Sequence, residues 1–498
     1  MLSPTSADLI RNLTELSQAW PTGEAPEEGA AFRRATRALI RAMQAEGRLA
    51  ESPMQLALTR SVDLHHEAAE RRLRGRRVLV TGGSGCVGAR LRQLLAGFGP
   101  AVLVNLDLVP HEGEGSWCQA DIRDRAALDA AFAAARPEVV FHLASIREPG
   151  KAELVVREAV ETNVFGTANI IAACRRHGVG HAVYSSTGKC YAYLTDHVYT
   201  ASKKLAEMQW MAAARAGSDT VFAMTRFTHV LENGIVSRDI AEGIARGMIG
   251  LHGPDRHFNI QNLRQATHLL VNALALAGTQ APDRFWSAAD LGWPVNTLEL
   301  ALFEIARSGR DVGVRFLGVP KGYDESFFRG QFDWSGDYEY HPLVNALEAP
   351  TVVSDSTGTM LGAQVAACPE AVLRQELAQL HAHLHGDQRD AGVKQALLHC
   401  VSRVTEGVFS QVAPGRLLDI LWWGAAPGWA GPAADAARFR PVMAMLADLL
   451  LPALARPDLA WDEAARGKVR DIATTFAGVP GLGARAERLQ AMLQPLAA

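Results

Sequence analysis

The feature that most constrains the fold is an alternation of short apolar runs with helical stretches that begins at Arg76. The strand-like runs read RRVLVTGG, AVLVNLD, EVVFHLA, HAVYSS and TVFAMTRF. Helical periodicity fills the gaps between them, at 127–135, 153–177, 202–216 and 240–248. Continuous apolar strands joined by helices are typical of a parallel sheet covered on both faces. We therefore predict an α/β fold of the Rossmann type, with a doubly wound parallel sheet.

Helical sequence flanks this pattern on both sides. Three amphipathic stretches precede it, at 5–20, 29–47 and 53–74. Six stretches follow it, at 369–386, 390–411, 416–423, 434–455, 462–476 and 482–496. We predict a helical N-terminal extension over 1–75 and a helical C-terminal domain over 349–498. Their amphipathic pattern suggests that they cover the lobes of the central domain or form a homodimer.

Charge and cysteine content exclude several classes of function. The chain has 498 residues, of which 50 are basic and 53 acidic, and the formal net charge of −3 gives no general attraction to nucleic acid or anionic membrane. Residues 1–75 lack a signal-peptide core and a membrane-spanning run. The cysteines lack metal or disulfide spacing, and His381, His383 and His385 alternate between helix faces. We expect a cytoplasmic protein with no metal and no nucleic-acid or membrane partner.

A glycine-rich turn follows the first predicted strand and opens a helix. That context is the one a dinucleotide-binding loop requires. The residues concerned are Gly82, Gly85, Cys86, Val87 and Gly88. Gly82 would make the tight turn, Gly85 would let the backbone approach a pyrophosphate, and Gly88 would let the helix pack closely. The helix N-terminus would face the phosphates with its unpaired N–H groups and positive dipole.

Asp107 ends the second predicted strand and indicates which dinucleotide binds. A carboxylate there can accept hydrogen bonds from the adenosine ribose, and it would repel a 2′-phosphate, so NAD is favoured over NADP. Asp121 and Ile122 follow the third strand position and are candidates for holding the adenine; a loop and helix cap is nearly as good an interpretation. We assign the NAD-binding core to 76–225 and a smaller substrate lobe mainly to 226–348.

Tyr199 and Lys203 are the candidate catalytic pair, because a spacing of four places them on one helix face. A nearby lysine charge and the positive charge of nicotinamide favour the phenolate, which could take a proton from a substrate hydroxyl while hydride leaves. The preceding strand, HAVYSS, ends where ligands bind in open parallel sheets, and Thr187 there can bind the same substrate oxygen. Both residues of the pair would also contact NAD.

The order of these motifs resembles that of extended short-chain dehydrogenases/reductases. The motifs are T-G-G-S-G-C-V-G, A-D-I-R-D, F-H-L-A-S, E-T-N-V-F-G-T-A-N, S-S-T-G-K and Y-T-A-S-K-K-L-A-E. More narrowly, the chain resembles the polysaccharide-biosynthesis (CapD-like) sugar-nucleotide dehydratase and epimerase family. The residues that carry this are S-T-G-K at 186–189, T-R-F-T-H-V-L at 225–231, A-D-L-G-W-P-V at 289–295 and Y-H-P-L-V at 340–344.

The resemblance implies roles for further residues, and it also shows where this sequence differs from the family's motifs. It implies that the catalytic residues are Thr187, Tyr199, Lys203 and Lys189. It also implies that Thr187 and His229 bind the substrate. Gly188 stands where the family's dehydratases carry an acidic aspartate, and His229 stands where they carry an asparagine. The segment between Ser186 and Tyr199 is also two residues longer. The usual route of water elimination is therefore doubtful, and no carboxylic acid is evident from the sequence to replace the missing one.

These observations favour an NAD-dependent oxidoreductase of the epimerase/dehydratase type acting on a nucleotide sugar. Transient oxidation of a hydroxyl to a ketone would precede epimerisation or elimination. Two alternatives stay open. One is an NAD-dependent dehydrogenase with net oxidation of a sugar or nucleoside-like substrate, and the other is a non-catalytic NAD-binding regulatory or scaffold protein.

Overall fold

A computed structural model of the chain describes residues 4–20, 26–110, 112–233, 235–278, 281–386, 389–431, 433–456 and 461–493. The strands in these ranges are β1 Arg77–Thr81, β2 Val102–Asp107, β3 Ser116–Gln119, β4 Val139–His142, β5 His181–Thr187, β6 Val221–Phe227, β7 His229–Val230, β8 Met248–Leu251, β9 His257–Phe258, β10 Ile260–Gln261, β11 Arg284–Ala288, β12 Val295–Asn296, β13 Gly313–Phe316, β14 Val353–Ser354 and β15 Met360–Gln364.

The helices before the C-terminal region are α1 Ser6–Ala19, α2 Pro26–Ala45, α3 Pro53–Thr59, α4 His66–Leu73, α5 Cys86–Ala96, α6 Arg125–Ala135, α7 Pro149–Leu154, α8 Val156–Val160, α9 Thr167–Arg176, α10 Val198–Arg215, α11 Ile235–Arg246, α12 Leu263–Ala275 and α13 Thr297–Ser308. Those of the C-terminal region are α14 Glu370–His385, α15 Asp390–Phe409, α16 Pro414–Ala425, α17 Pro427–Ala430, α18 Ala433–Ala436, α19 Arg440–Leu454, α20 Glu463–Gly478 and α21 Gly483–Ala491.

A nine-stranded sheet of order β14-β15-β11-β6-β5-β4-β1-β2-β3 forms the centre of the molecule. The strands from β3 to β11 in this order pair in parallel, and β15 runs antiparallel to β11 and β14. In register, Val78 lies between Leu103 and Val139. The predicted Rossmann-type fold is confirmed, and all five strand-like runs coincide with β1, β2, β4, β5 and β6.

Helices cover both faces of the sheet, because successive side chains of a strand point to opposite sides. Leu79 packs in the layer that contains α6, α9 and α10, while Val78 and Val80 pack in the layer that contains α4, α5 and α12. Helices α14 and α15 add to the first of these layers. The doubly wound arrangement follows from the fully apolar β strands that the sequence supplies.

One predicted helix, 153–177, contains a π-helical turn at Glu161–Gly166. Within it the Asn163 amide accepts a hydrogen bond from Ile146 N (2.8 Å) and donates to Ser202 Oγ (3.0 Å). A π turn inserts one extra residue per turn and is frequent near functional sites. Here it ties the loop after β4 to α10, the helix that carries Tyr199.

The C-terminal prediction needs a correction at its start. Residues 353–364 are not helical, because β14 and β15 extend the central sheet beyond β11. Strand β15 pairs with β11, which would otherwise be an exposed sheet edge. The helical region begins at α14, and its six predicted helices match α14, α15, α16, α19, α20 and α21. The end of the last predicted helix, 494–496, lies outside the described residues.

The N-terminal helices pack on the smaller lobe. Leu13 of α1 and Phe32 of α2 share a buried cluster with Val314 of β13 and with α13. The Ser17 and Thr36 hydroxyls accept hydrogen bonds from the backbone of β13, each at 2.9 Å. The prediction that this extension covers a lobe is therefore confirmed for α1 and α2. Residues 1–3 and 21–25 of the extension lie outside the described ranges.

The third predicted N-terminal helix, 53–74, is wrong as a single helix. It is broken into α3 and α4 by an extended segment. The Asn272 amide binds this segment by donating to Asp63 O (2.7 Å) and accepting from His65 N (2.9 Å). These long-range hydrogen bonds replace the helical ones. Within the described ranges, no helix combines the length and the apolar character that crossing a bilayer requires.

The predicted substrate lobe, 226–348, is only partly a separate lobe. Three small sheets, β7 with β10, β9 with β12 and β8 with β13, build it together with α11 and α13. Helix α12 and strand β11 fall in the same range but belong to the central sheet domain. The chain enters the lobe at His229, directly after β6 ends at Phe227, and so from the carboxyl edge of the sheet.

Candidate active site

The predicted site residues gather at one edge of the central sheet. Gly82 follows β1, Asp107 ends β2 and Thr187 ends β5, and these strands run in parallel. The carboxyl ends of parallel strands therefore bring the three positions to the same edge, which is where open α/β sheets bind ligands.

The glycine loop has the close packing that its sequence predicts. Gly82 has a φ of +72°, and a Cβ added there would lie 2.5 Å from Ala144 N. A Cβ on Gly88 would lie 2.4 Å from Gly82 O, so α5 can pack against the turn only with glycine at this position. Gly85 is the N-cap of α5, and its added Cβ would meet only Gly82 O, at 3.4 Å. Cys86 and Val87 begin α5, and the N-terminus of this helix is where the sequence predicts that the phosphates bind.

Asp107 is held beside this loop. Its carboxylate accepts a hydrogen bond from Ser84 N at 2.9 Å, and the Ser84 hydroxyl accepts one from Asn105 Nδ2 at 3.0 Å. The carboxylate at the end of β2 is thus oriented by the glycine loop itself. A dinucleotide whose pyrophosphate lies at α5 would place its adenosine ribose near this residue.

Asp121 and Ile122 differ in their surroundings. The Asp121 carboxylate binds the Arg123 guanidinium at 2.6 Å and the Arg123 N–H at 2.9 Å. The pKa of Asp121 is lowered, because these bonds outweigh the raising effect of burial. The Ile122 side chain packs in the core, where it would touch a Cβ on Gly166 at 2.7 Å. Contact with adenine stays a prediction, and for Ile122 it would have to come from the backbone.

Tyr199 and Thr187 are the predicted reactive pair. Tyr199 lies in the first turn of α10, and its side chain lies close to that of Thr187, at the end of β5. Burial raises the pKa of Tyr199 to about 12, against the lowering effects of the neighbouring Thr187 hydroxyl and the Arg147 charge. Without a further positive charge, only about one phenol in 10⁵ would be ionised at pH 7. A cationic group bound at the site would raise that fraction.

Lys203 lies one turn further along α10 and points to the sheet. Its ammonium donates to Ser185 O at 2.8 Å and lies 4.4 Å from the centre of the Tyr184 ring. Burial lowers the pKa of Lys203 to about 8, so the side chain stays mainly protonated at pH 7. The predicted helix and its spacing are confirmed, and the lysine brings a buried positive charge to the end of β5.

Arg147 is a candidate site residue that sequence reasoning missed. Its positive charge opposes the rise in the pKa values of Tyr199 and the Cys86 thiol, and it contributes to the lowered pKa of His229. The guanidinium therefore lies within electrostatic reach of the glycine loop, the tyrosine and the smaller lobe. Its place after β4, at the edge where ligands bind, was the signal that could have identified it.

His229 begins β7, on the smaller lobe. Its ring packs edge-on against Phe258, with ring centroids 5.1 Å apart. Burial lowers the pKa of His229 to about 4, with a further contribution from Arg147, so the imidazole is neutral at pH 7. A neutral imidazole can still donate and accept hydrogen bonds, as the asparagine of the related family can.

Lys189 has a carboxylate partner from a distant segment. Its ammonium binds Glu325 Oε2 at 3.0 Å, across 136 residues of sequence. The Glu325 pKa lies at about 2, because the raising effect of burial is outweighed by His197, Lys189 and Thr195. Sequence reasoning found no carboxylate near Lys189, and no local motif points to this one.

The space of the missing aspartate is filled. A Cβ on Gly188 would lie 2.2 Å from Leu343 Cδ2 and 3.3 Å from Phe227 O. Leu343 belongs to the Y-H-P-L-V segment and is itself buried. The chain therefore has no room for a carboxylate at position 188 unless Leu343 moves.

Gly188→Asp is expected to lower the free energy of unfolding by about 1–3 kcal/mol, the usual cost of overpacking. Gly188→Asp combined with Leu343→Ala is expected to cost less than the two single changes added together, because the alanine frees the same space. Denaturant unfolding of the four proteins measures this coupling. Strictly additive losses would show that Leu343 does not compete for the position.

The segment after Thr187 is held from several sides. Lys204 Nζ donates to Ala192 O at 2.6 Å, and Tyr193 N donates to Gln331 Oε1 at 3.3 Å. From the C-terminal region, the Thr405 hydroxyl donates to Tyr193 O at 2.8 Å, and Phe409 packs edge-on against the Tyr193 ring. The helical C-terminal region thus contacts the segment that carries Lys189.

The strand order, the glycine loop after β1 and the Tyr199–Lys203 pair on α10 are typical of extended short-chain dehydrogenases/reductases. More narrowly, residues 78–322 match the family described as "Polysaccharide biosynthesis protein". The resemblance to the CapD-like polysaccharide-biosynthesis family that the motifs indicated is therefore confirmed, and it covers the domain that holds the candidate site.

Two curated relatives illustrate this similarity. Capsular polysaccharide biosynthesis protein CapD of Staphylococcus aureus is 26% identical over 308 residues, which are 56% of this chain and 49% of that protein. The probable polysaccharide biosynthesis protein EpsC of Bacillus subtilis is 27% identical over 306 residues, 57% of this chain and 48% of that protein. The chain thus spans about half the length of these relatives. Among solved structures, Pen from Bacillus thuringiensis superposes with a TM-score of 0.49 at 19% identity, covering 60% of this chain and 90% of Pen.

Proposed function

We propose that the chain is an NAD-dependent enzyme of the sugar-nucleotide epimerase/dehydratase type, which oxidises a substrate hydroxyl transiently to a ketone. The observation that carries the proposal is the placement of Tyr199 close to Thr187, at the same carboxyl edge of the sheet as the glycine loop after β1. A role in nucleotide sensing alone would not require this pair.

The residues present fit NAD. The close contacts at Gly82 and Gly88 leave backbone in place of side chains around the first turn of α5, where a pyrophosphate can bind. Asp107 supplies the carboxylate for the adenosine ribose, and its charge disfavours a 2′-phosphate. Bound NAD would supply the hydride acceptor and a positive charge near Tyr199. Lys203, on the next turn of α10, adds a second positive charge to this end of the sheet.

Tyr199 would act as the general base. The substrate hydroxyl would lie between Tyr199 and Thr187, so that Thr187 orients the oxygen while the phenolate takes its proton. As the O–H proton moves to Tyr199, the C–H electron pair leaves the carbon as hydride and a ketone forms. Because burial is the largest effect on Tyr199 and raises its pKa to about 12, the phenol becomes a useful base only after further positive charge binds beside it.

Arg147 and His229 are suited to hold a diphosphate. The guanidinium lies within electrostatic reach of both the glycine loop and the smaller lobe. Arginine binds phosphate oxygens through paired N–H groups, and a neutral imidazole can add a further hydrogen bond. A nucleotide sugar has a diphosphate between its base and its sugar, which suits a cleft between a sheet domain and a lobe.

The step after oxidation is set by the groups near the new ketone. A ketone acidifies the neighbouring C–H, so epimerisation and elimination both become accessible. Leu343 occupies the place where related dehydratases carry an aspartate, which disfavours elimination by that route. Lys189, whose side chain is 30% exposed, can supply a proton in this segment. These features favour epimerisation, in which hydride returns to the carbon.

Purified protein should be incubated with NAD and a panel of uridine- and thymidine-diphosphate sugars, and the products analysed by mass spectrometry and sugar NMR. An unchanged mass with a changed stereocentre is the expected result. Loss of one water would identify a dehydratase, and stoichiometric reduced coenzyme would identify a dehydrogenase with net oxidation. No product from any sugar, with NAD still bound, would favour a non-catalytic NAD-binding protein. Cytoplasmic location and a homodimer stay predictions.

Asp107→Asn is expected to weaken NAD binding about tenfold, or roughly 1.4 kcal/mol, because it removes the charge from a charge-assisted hydrogen bond. The asparagine oxygen can still accept from Ser84 N, so the loop should keep its shape. Binding of NADP should weaken less or improve. Calorimetric titration measures both, with Asp129→Asn on α6 as the control. Unchanged selectivity would contradict the assigned role of Asp107.

A further inference from the structure

Glu325 contacts both the segment that carries Lys189 and helix α10, which carries Tyr199. One carboxylate oxygen binds Lys189 Nζ at 3.0 Å and accepts from the Thr200 hydroxyl at 3.2 Å, and the other accepts from the Thr195 hydroxyl at 2.7 Å. Thr200 directly follows Tyr199 on α10. A single buried carboxylate therefore fixes Lys189 relative to the helix that carries the tyrosine.

The two partners differ in exposure. The Lys189 side chain is 30% exposed, whereas that of Glu325 is 7% exposed. The ammonium is therefore the more accessible group of the pair, and the carboxylate is the more deeply buried one. His197, which is buried, lies 3.8 Å from Glu325 and 2.7 Å from Asp324, and so closes the other side of the cluster.

Position 188, next to Lys189, is a glycine and has no carboxylate. In the structure, the carboxylate of Glu325 contacts Lys189 instead. Leu343 fills the space next to Gly188, so a side chain cannot return there without rearrangement. Glu325 approaches Lys189 from the segment between β13 and β14. It is held by three side-chain donors, which leaves it little freedom to act on substrate directly.

We propose that Glu325 is a positioning residue that holds the Lys189 ammonium at the reacting end of the site, in place of the carboxylate missing at position 188. The inference rests on the function proposed above. Glu325 acts through Lys189, which is the group that touches substrate and donates a proton or a hydrogen bond after oxidation. The pair also explains how a lysine in a lengthened segment keeps a fixed place relative to Tyr199.

The test is a double-mutant cycle with Glu325→Gln and Lys189→Met, measured as kcat and KM on the nucleotide sugar that the wild type converts. Glu325→Gln is expected to lower kcat about 10–100-fold with little change in KM, because a displaced catalytic group costs rate more than binding. In the Lys189→Met background, Glu325→Gln should cause no further fall in kcat. An equal fall in kcat in both backgrounds, or no fall in kcat on Glu325→Gln alone, would overturn the proposal.

Asp333→Asn is the matched control, because Asp333 is also a buried carboxylate, 4% exposed, and is paired with Arg416 instead of Lys189. It should lower stability without lowering kcat. If Glu325→Gln does not fold, Glu325→Asp takes its place. This variant should lose part of the wild-type kcat, because it keeps the negative charge but its side chain is shorter.

A second readout needs no substrate. Limited acetylation with an amine-reactive ester, quantified at Lys189 by peptide mass spectrometry, should rise in Glu325→Gln and stay at the wild-type level in Asp333→Asn. Equal labelling in Glu325→Gln and wild type would refute the pairing. If the wild type converts no nucleotide sugar, the proposed function fails, while the labelling still decides whether Glu325 holds Lys189.

Discussion

Tyr199→Phe is expected to lower turnover by about 10²–10⁴-fold, the usual contribution of a positioned general base. The ring should keep its place in α10, because only the hydroxyl is lost, so NAD binding and stability should change little. Thr187 would keep its hydroxyl but lose the base to which the substrate proton passes. Steady-state assays at saturating substrate measure the loss as a fall in kcat.

Tyr338→Phe is the control for this experiment, since Tyr338 is an exposed tyrosine in the segment between β13 and β14. It should leave kcat at the wild-type value. Turnover by Tyr199→Phe equal to that of wild type would remove Tyr199 as the base and, with it, the mechanism proposed here.

Arg226→Met is expected to lower the free energy of unfolding by about 3–5 kcal/mol, because it leaves two carboxylates without a cation in the interior. The Arg226 side chain binds Glu207 at 2.5 Å and Glu348 at 2.6 Å, and all three side chains are 1% exposed. Its guanidinium also lies 3.9 Å from the centre of the Phe285 ring and donates to Leu343 O at 2.8 Å.

This buried cluster connects stability to the site. Glu207 lies on α10 and accepts a hydrogen bond from Ser186, which precedes Thr187, while Leu343 fills the space beside Gly188. Loss of Arg226 should therefore also disturb the reactive pair. Denaturant unfolding measures the stability change, with Arg238→Met as the control, because Arg238 is 64% exposed and its pair with Glu242 is expected to contribute under about 1 kcal/mol. Similar losses in both variants would contradict the role assigned to the cluster.

The sheet and the tyrosine pair could be predicted because local pattern determines them. Each strand-like run is apolar throughout, and buried parallel strands require that pattern. Tyr199 and Lys203 are four residues apart, so helical geometry alone places them on one face. The glycine positions likewise follow from the tight turn between β1 and α5.

The remaining features depend on contacts between distant segments. Glu325 reaches Lys189 across 136 residues, and Leu343 reaches Gly188 from the end of the domain. Strand β15 was missed because it pairs with β11 only after the chain has passed through the smaller lobe. The break between α3 and α4 depends on the Asn272 side chain. No local periodicity encodes these contacts, so sequence patterns could not predict them.

In the proposed mechanism, a substrate hydroxyl loses its proton to Tyr199 and its hydride to NAD, and the hydride then returns. Stopped-flow absorbance of the reduced coenzyme, after rapid mixing of the NAD-loaded protein with its nucleotide sugar, tests it most directly. The absorbance is expected to rise and then decay within one turnover in wild type, and not to rise in Tyr199→Phe. Conversion of the sugar without any transient reduction of the coenzyme, or the same transient in Tyr199→Phe, would contradict it.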